Sequence, residues 1–264
     1  DIRPNRLLVM DASGDTIDLP GTETIEPTFG LPAMWVDPDN REEATFKGYT
    51  VVDPATVITT HLTELIRDNM SELLSYVETQ NLLDELPNEH QKLVGEVVPN
   101  QISVGGIQRV LQNLLNERVS IRDLPTILEG ISEACAFTRN VTQLTEHVRS
   151  RLARQISEQN STEDNFIPLV TLSAEWEQIF SDSILDQGED KQLSMAPSQL
   201  QRFIGAVRTT LDELADIEDP PVVLTSPLAR PFVRSIIERF RPATSIMSQN
   251  ELHPKAKIKT LGQI

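Results

Sequence analysis

The sequence predicts an α+β chain of several subdomains: a small β-containing subdomain, a central stacked all-helical subdomain and a C-terminal α/β subdomain. Three observations carry this. Short apolar runs bounded by Pro, Asp and Gly fill the first fifty residues. From about residue 77 to 160, apolar residues recur at helical spacing. Beyond a polar stretch at 157–165, strand-like and helical patterns alternate. Pro (17) outnumbers Gly (11), which favours many short segments with stiff joints.

In the first part, Leu7-Leu8-Val9-Met10, Ala33-Met34-Trp35-Val36 and Gly48-Tyr49-Thr50-Val51-Val52 read as strands, being β-branched, aromatic or aliphatic between turn formers. Asp53-Pro54 then starts a helix, with an acidic N-cap and proline at the first helical position. Ile58, Leu62, Leu65 and Ile66 follow at helical spacing, and the pattern runs on towards Leu74.

In the middle part, Ile107, Val110, Leu111, Leu114 and Leu115 mark one buried stripe. Val141, Leu144, Val148, Leu152 and Ile156 mark another, with Asn140 as cap. Pro99, Gly105-Gly106 and Asp123-Leu124-Pro125 punctuate several short helices, which need one another to bury their apolar faces. After the linker, Phe166 to Leu172 reads as a strand and Ala174 to Leu185 as a helix. Asp186 to Lys191 reads as a polar break. Leu200, Ile204, Val207, Leu211 and Leu214 line a long helix, and Val222-Val223-Leu224 is a strand. Ser226-Pro227 caps a helix carrying Phe232, Ile236 and Phe240, and strands at Thr244–Met247 and Ile258–Leu261 complete a small sheet covered by helices.

Asp and Glu total 40 against 23 Lys and Arg, a net charge of −17. Such a surface repels phosphate backbones, so nucleic acid is not an expected partner. No run approaches the roughly 20 apolar residues that a membrane span needs. The opening on Asp1 without a start methionine fits a piece of a longer protein. One cysteine, Cys135, cannot form an internal disulfide, and its setting in Glu-Ala-Cys-Ala-Phe reads as a small buried hydrophobe. Phosphate-binding glycine loops and His-Glu-x-x-His are absent, and His61, His90, His147 and His253 make no ligand pair. No cofactor, metal site or catalytic residue is expected. His61 beside Thr59-Thr60 lacks the third group that would orient it as a base.

Three stretches carry a resemblance. Glu26-Pro27-Thr28-Phe29-Gly30-Leu31-Pro32-Ala33-Met34-Trp35-Val36 is followed by Gly48-Tyr49-Thr50-Val51-Val52-Asp53-Pro54-Ala55-Thr56-Val57 and Thr60-His61-Leu62. Val110 to Leu115, Ile121-Arg122-Asp123 and Ile127-Leu128-Glu129 come next, and Pro221 to Leu224 and Ser248 to Leu252 close the pattern. In this order, over nearly the whole chain, they resemble the cytosolic region of the FlhA (FHIPEP) family of type III export gate proteins, flagellar branch. The resemblance implies a cytosolic platform at the bacterial inner membrane that docks export chaperones with flagellar cargo and helps to order export. It implies contact with other export apparatus proteins, a nonameric homo-oligomeric ring, and attachment to the membrane only through an N-terminal domain upstream. The virulence injectisome homologue is the alternative. An unrecognised helical enzyme is a third, made remote by the lack of a nucleophile–base pair. The implied domains are 1–52, an inserted β-rich second subdomain; 53–74, the closing helix of a truncated first subdomain; 75–159, a helical third subdomain; and 160–264, an α/β fourth.

The same resemblance implies a chaperone-binding site at Glu26, Phe29, Leu31, Val52 and Thr60, an apolar dimple that takes an anchor from a partner helix. Reading Phe29 and Val52 as core residues stays open beside it. Gly30 reads as a turn glycine and Trp35 as core filler. The basic residues are unevenly placed: Arg230, Arg234 and Arg241 cluster on the helix before Pro242, and Lys255, Lys257 and Lys259 alternate on one face of the last strand. Arg230, Arg234 and Lys257 are expected at a ring interface against an acidic face of the next subunit. Ordinary solvated charge is the other reading.

Overall fold

Alternation within the apolar runs decides the first sheet. In the computed structural model, which describes residues 2–11, 16–188, 190–215, 217 and 219–264, four antiparallel strands lie in the order β2-β3-β1-β4. They are β1 (Leu7–Met10), β2 (Gly21–Ile25), β3 (Pro32–Val36) and β4 (Thr50–Val52). Leu8 pairs with Trp35 on one side and Val52 on the other, so these side chains share a face with Ala33 and Met10. Leu7, Val9, Met34 and Val36 form the opposite face. Both faces are apolar because both are covered. A short helix, α1 (Arg41–Phe46), supplies Ala44 to the second, and α2 (Pro54–Asp68) supplies Val57 to the first. Asp53 caps α2, its carboxylate accepting from the N–H of Thr56 at 2.8 Å, with Pro54 in the first turn.

The chain divides into two compact units, residues 1–70 and 71–264. The second begins with helices. After α3 (Met70–Leu73) come α4 (Tyr76–Asp84), α5 (Asn88–Val97), α6 (Val104–Asn116), α7 (Leu124–Ala134), α8 (Val141–Arg151) and α9 (Ala153–Gln159). The stripe from Ile107 to Leu115 is buried, as are Leu144, Val148, Leu152 and Ile156. Ser75, Ser103, Asp123 and Asn140 each cap a helix by accepting an N–H in its first turn. Gly105-Gly106 does not break the chain as the sequence suggested. Ser103 sets the start of α6 ahead of it, and a Cβ on Gly106 would lie 2.4 Å from Cγ1 of Ile102, so the glycine admits a close contact.

The last part is an all-parallel sheet in the order β10-β5-β8-β9, built from β5 (Phe166–Thr171), β8 (Val222–Thr225), β9 (Ile246–Ser248) and β10 (Lys257–Gln263). Helices α10 (Ala174–Ser183), α11 (Pro197–Glu213) and α12 (Arg230–Ile237) accompany it. Its core holds three aromatics edge to face: Trp176 and Phe180 meet Phe203 at 5.1 and 5.0 Å between ring centroids. The expected polar break at 186–191 is instead part of a hairpin, β6 (Ile184–Gln187) with β7 (Asp190–Leu193), and Gly188 takes a φ of 74° in its turn. Ser226 does begin a helical turn, accepting from Ala229 and Arg230, but regular helix starts only at Arg230. Among the described residues no helix is long and apolar enough to cross a membrane, and no group of three or more His, Cys, Asp and Glu could hold a metal.

Candidate docking site

Four of the five residues expected at a docking site lie at the ends of the first sheet, and the fifth lies on α2. Glu26 to Leu31 form the connection from β2 to β3, Val52 ends β4, and Thr60 sits in the second turn of α2. Phe29 is 66% exposed and Leu31 37%, so Phe29 is no core residue. Val52 is half-buried and packs with Leu8, Trp35 and Val57, which makes it part of the wall beneath α2. Trp35 is buried, as a core residue should be.

Glu26 is 4% exposed. Its Oε2 accepts the N–H of Thr28 at 2.9 Å and of Phe29 at 2.6 Å. Burial pushes this carboxyl up, but the N–H of Phe29 foremost, then hydrogen bonding by Thr28 and the nearby His61, hold it below the usual range.

Beside this connection lies a hollow of about 330 Å³ with mostly apolar walls: Ile25 and Pro27, Trp35, and Ile58, Leu62 and Leu65 of α2. His61 adds a polar group. None of the five expected residues lines it, although Pro27 and His61 are chain neighbours of Glu26 and Thr60. The sequence marks Ile58, Leu62, Leu65 and Ile66 as the amphipathic pattern of α2, yet all four are exposed and only Val57 of this helix is buried. An apolar row about two and a half helical turns long on an accessible face is the kind of surface that takes up another apolar surface. The signal for it was present as helical spacing, but spacing alone does not say which rows are covered.

The expected ring-interface arginines are placed differently. Arg230 is 1% exposed and spends its guanidinium inside the molecule. Nε and Nη2 donate to Glu146 at 2.7 and 2.6 Å, Nη1 and Nη2 to Glu117 at 2.7 and 2.8 Å, and Nη1 also to the Ile246 carbonyl. Arg149 is clamped by Glu251 through Nε and Nη2 at 3.1 and 2.6 Å. Arg234 is largely buried and donates to the carbonyls of Pro242 and Thr244. Arg230 therefore cannot face a neighbouring subunit. An arginine met by carboxylates remote in sequence is an internal tie. Burial pushes Glu117 up, yet Arg230 and Arg149 pull it down to about 2. Burial raises Glu146, and Arg230 offsets only part of that. Arg241 lies beyond α12 and pairs with Asp212. Lys257 and Lys259 are exposed on β10, with Lys259 over the ring of Phe166 at 5.0 Å, whereas Lys255 precedes the strand.

A family model described as the FHIPEP family matches residues 1–257. The chain is 55% identical over 264 residues to a flagellar biosynthesis protein FlhA of Caulobacter vibrioides, covering 100% of this chain and 38% of that relative's length. The structure of the Chlamydia pneumoniae CdsV protein is similar with a TM-score of 0.85 at 28% identity, covering 100% of this chain and 76% of the other. The cryo-EM structure of nonameric EPEC SctV-C shares the fold with a TM-score of 0.77 at 24% identity, over 99% of this chain and 78% of the other.

Proposed function

The chain belongs to the FHIPEP family, and on that premise we propose that it is a cytosolic part of a bacterial flagellar type III export gate that docks chaperone–cargo complexes and helps to order their export. The observation that carries the docking role is Phe29, an aromatic held two-thirds in the open on a hydrogen-bonded connection next to an accessible apolar hollow. Aromatic anchors dominate the energetics of many interfaces. The 55% identity to a flagellar relative favours the flagellar role over the injectisome one. Since the chain spans 38% of that relative, membrane attachment through a further domain belongs to the same proposal.

A ring is proposed as well, in line with the nonameric state that the SctV-C structure's description gives for that protein. With Arg230 internal, Lys257 on the exposed β10 is the candidate contact for an acidic neighbour.

Pull-down of a purified export chaperone bound to flagellar filament protein tests the docking role. Phe29→Ala and Thr60→Met should each weaken capture at least tenfold, the scale of an anchor residue. Capture unchanged by both substitutions would remove the assignment.

A further inference from the structure

The connection between β2 and β3 is held from within by one residue. Oε2 of Glu26 accepts the N–H of Thr28 and of Phe29, its backbone N–H donates to the Leu31 carbonyl at 2.8 Å, and its carbonyl accepts from Gly30 at 3.0 Å. Four hydrogen bonds thus converge on residue 26 from a segment that ends with two exposed apolar side chains. Gly30, at a φ of 70°, closes the turn in a conformation that side chains rarely adopt.

We propose that Glu26 is a positioning residue, which fixes the 26–31 turn so that Phe29 and Leu31 stand outward for a partner, and which does not itself meet that partner. This rests on the docking function proposed above. The geometry argues for it in two ways. First, one carboxylate oxygen is committed to two backbone N–H groups, and the residue is 4% exposed, so little of it is left to offer. Second, Phe29 has reason to fold back. Ile25 and the apolar side chains of the adjoining hollow offer it burial a few residues away. A charged acceptor on its own N–H is roughly twice as strong as a neutral one and holds the backbone against that collapse. An anchor already in its bound shape loses less freedom on association.

The test combines amide hydrogen exchange at Thr28 and Phe29 with affinity for a purified export chaperone–filament protein complex. Glu26→Gln leaves only a neutral acceptor. It should speed exchange at both amides and weaken binding about tenfold. Glu26→Asp keeps the charge, and an aspartate accepts N–H groups two and three residues on as a matter of course. It should retain protection and bind within about threefold of the unsubstituted chain. In a Phe29→Ala background, adding Glu26→Gln should change affinity little, because the residue it positions is gone.

Two results would overturn the proposal. One is Glu26→Asp keeping amide protection while losing as much affinity as Glu26→Gln, which would put the carboxylate in contact with the partner. The other is Glu26→Gln and Phe29→Ala acting additively. If Phe29→Ala and Thr60→Met both bind normally, the docking function falls and the positioning role with it. That outcome is told apart by the exchange difference between the Gln and Asp variants, which persists. Far-UV circular dichroism of each variant separates all of these from unfolding.

Discussion

At the residue scale, chemistry and position parted company most clearly at Arg230. By sequence it sits in a cluster with Arg234 and Arg241, and nothing nearby neutralises it. The carboxylates that do, on Glu117 and Glu146, come from 113 and 84 residues away. No local pattern records such a meeting. Phe29 was legible in the opposite sense, since its motif was visible while its exposure was not. Removing one partner from a buried charge group strands the others, so Arg230→Met should cost about 3–5 kcal/mol, read from denaturant midpoints. The acid side has its own signature. Glu117 is held at about 2 from an ordinary 4.5, so its contribution to stability is complete above pH 4.5 and disappears as pH falls through about 2. Glu146, raised by burial, works in the opposite direction and takes up its proton first. Stability measured between pH 4.5 and 2 should therefore fall less steeply in Glu117→Gln than in the unsubstituted chain. Equal slopes would mean that Glu117 is not the group responsible.

At the scale of elements, the strands with apolar runs were readable and those without were not. β1, β3 and β4 announce themselves, but β2 is Gly-Thr-Glu-Thr-Ile at an exposed edge, where neither face demands hydrophobes. The β6–β7 hairpin escaped notice for the same reason: a strand such as Asp-Lys-Gln-Leu has no apolar rhythm to follow. Helix starts were more transparent because capping chemistry is local. Asn140 and Asp53 cap as their sequence positions suggest, whereas Ser103 was hidden behind two glycines that looked like a break. Ser103→Ala should destabilise the protein by about 1 kcal/mol, the usual worth of an N-cap, visible as a lower urea midpoint with unchanged slope. On α2, helical spacing correctly identified a helix but not the fate of its apolar row, because whether a row is covered depends on whatever packs against it.

At the scale of the whole molecule, the α+β class follows from the alternation of patterns along the chain: an antiparallel sheet comes first, then a run of helices, then a parallel sheet with its helices. What joins the helical part to the α/β part was not readable. Glu117, Glu146 and Arg149 belong to the first, Arg230 and Glu251 to the second, and all are largely or wholly buried where they meet. Ser157 adds a neutral tie, donating to the Glu251 carbonyl and accepting from the N–H of His253. Differential scanning calorimetry should show residues 71–264 melting in a single transition, which Arg149→Met should broaden or split by loosening this joint. A single sharp transition in the variant would assign the coupling to apolar packing instead. The character of such a seam matters for how the parts move. Two greasy surfaces can slip by a methyl group's width and still fit nearly as well. Forked cations gripping paired carboxylates cannot, since a small offset breaks several bonds together and leaves bare ions in a dry place. Parts joined this way, once separated, rejoin in one setting, as a key does in its lock.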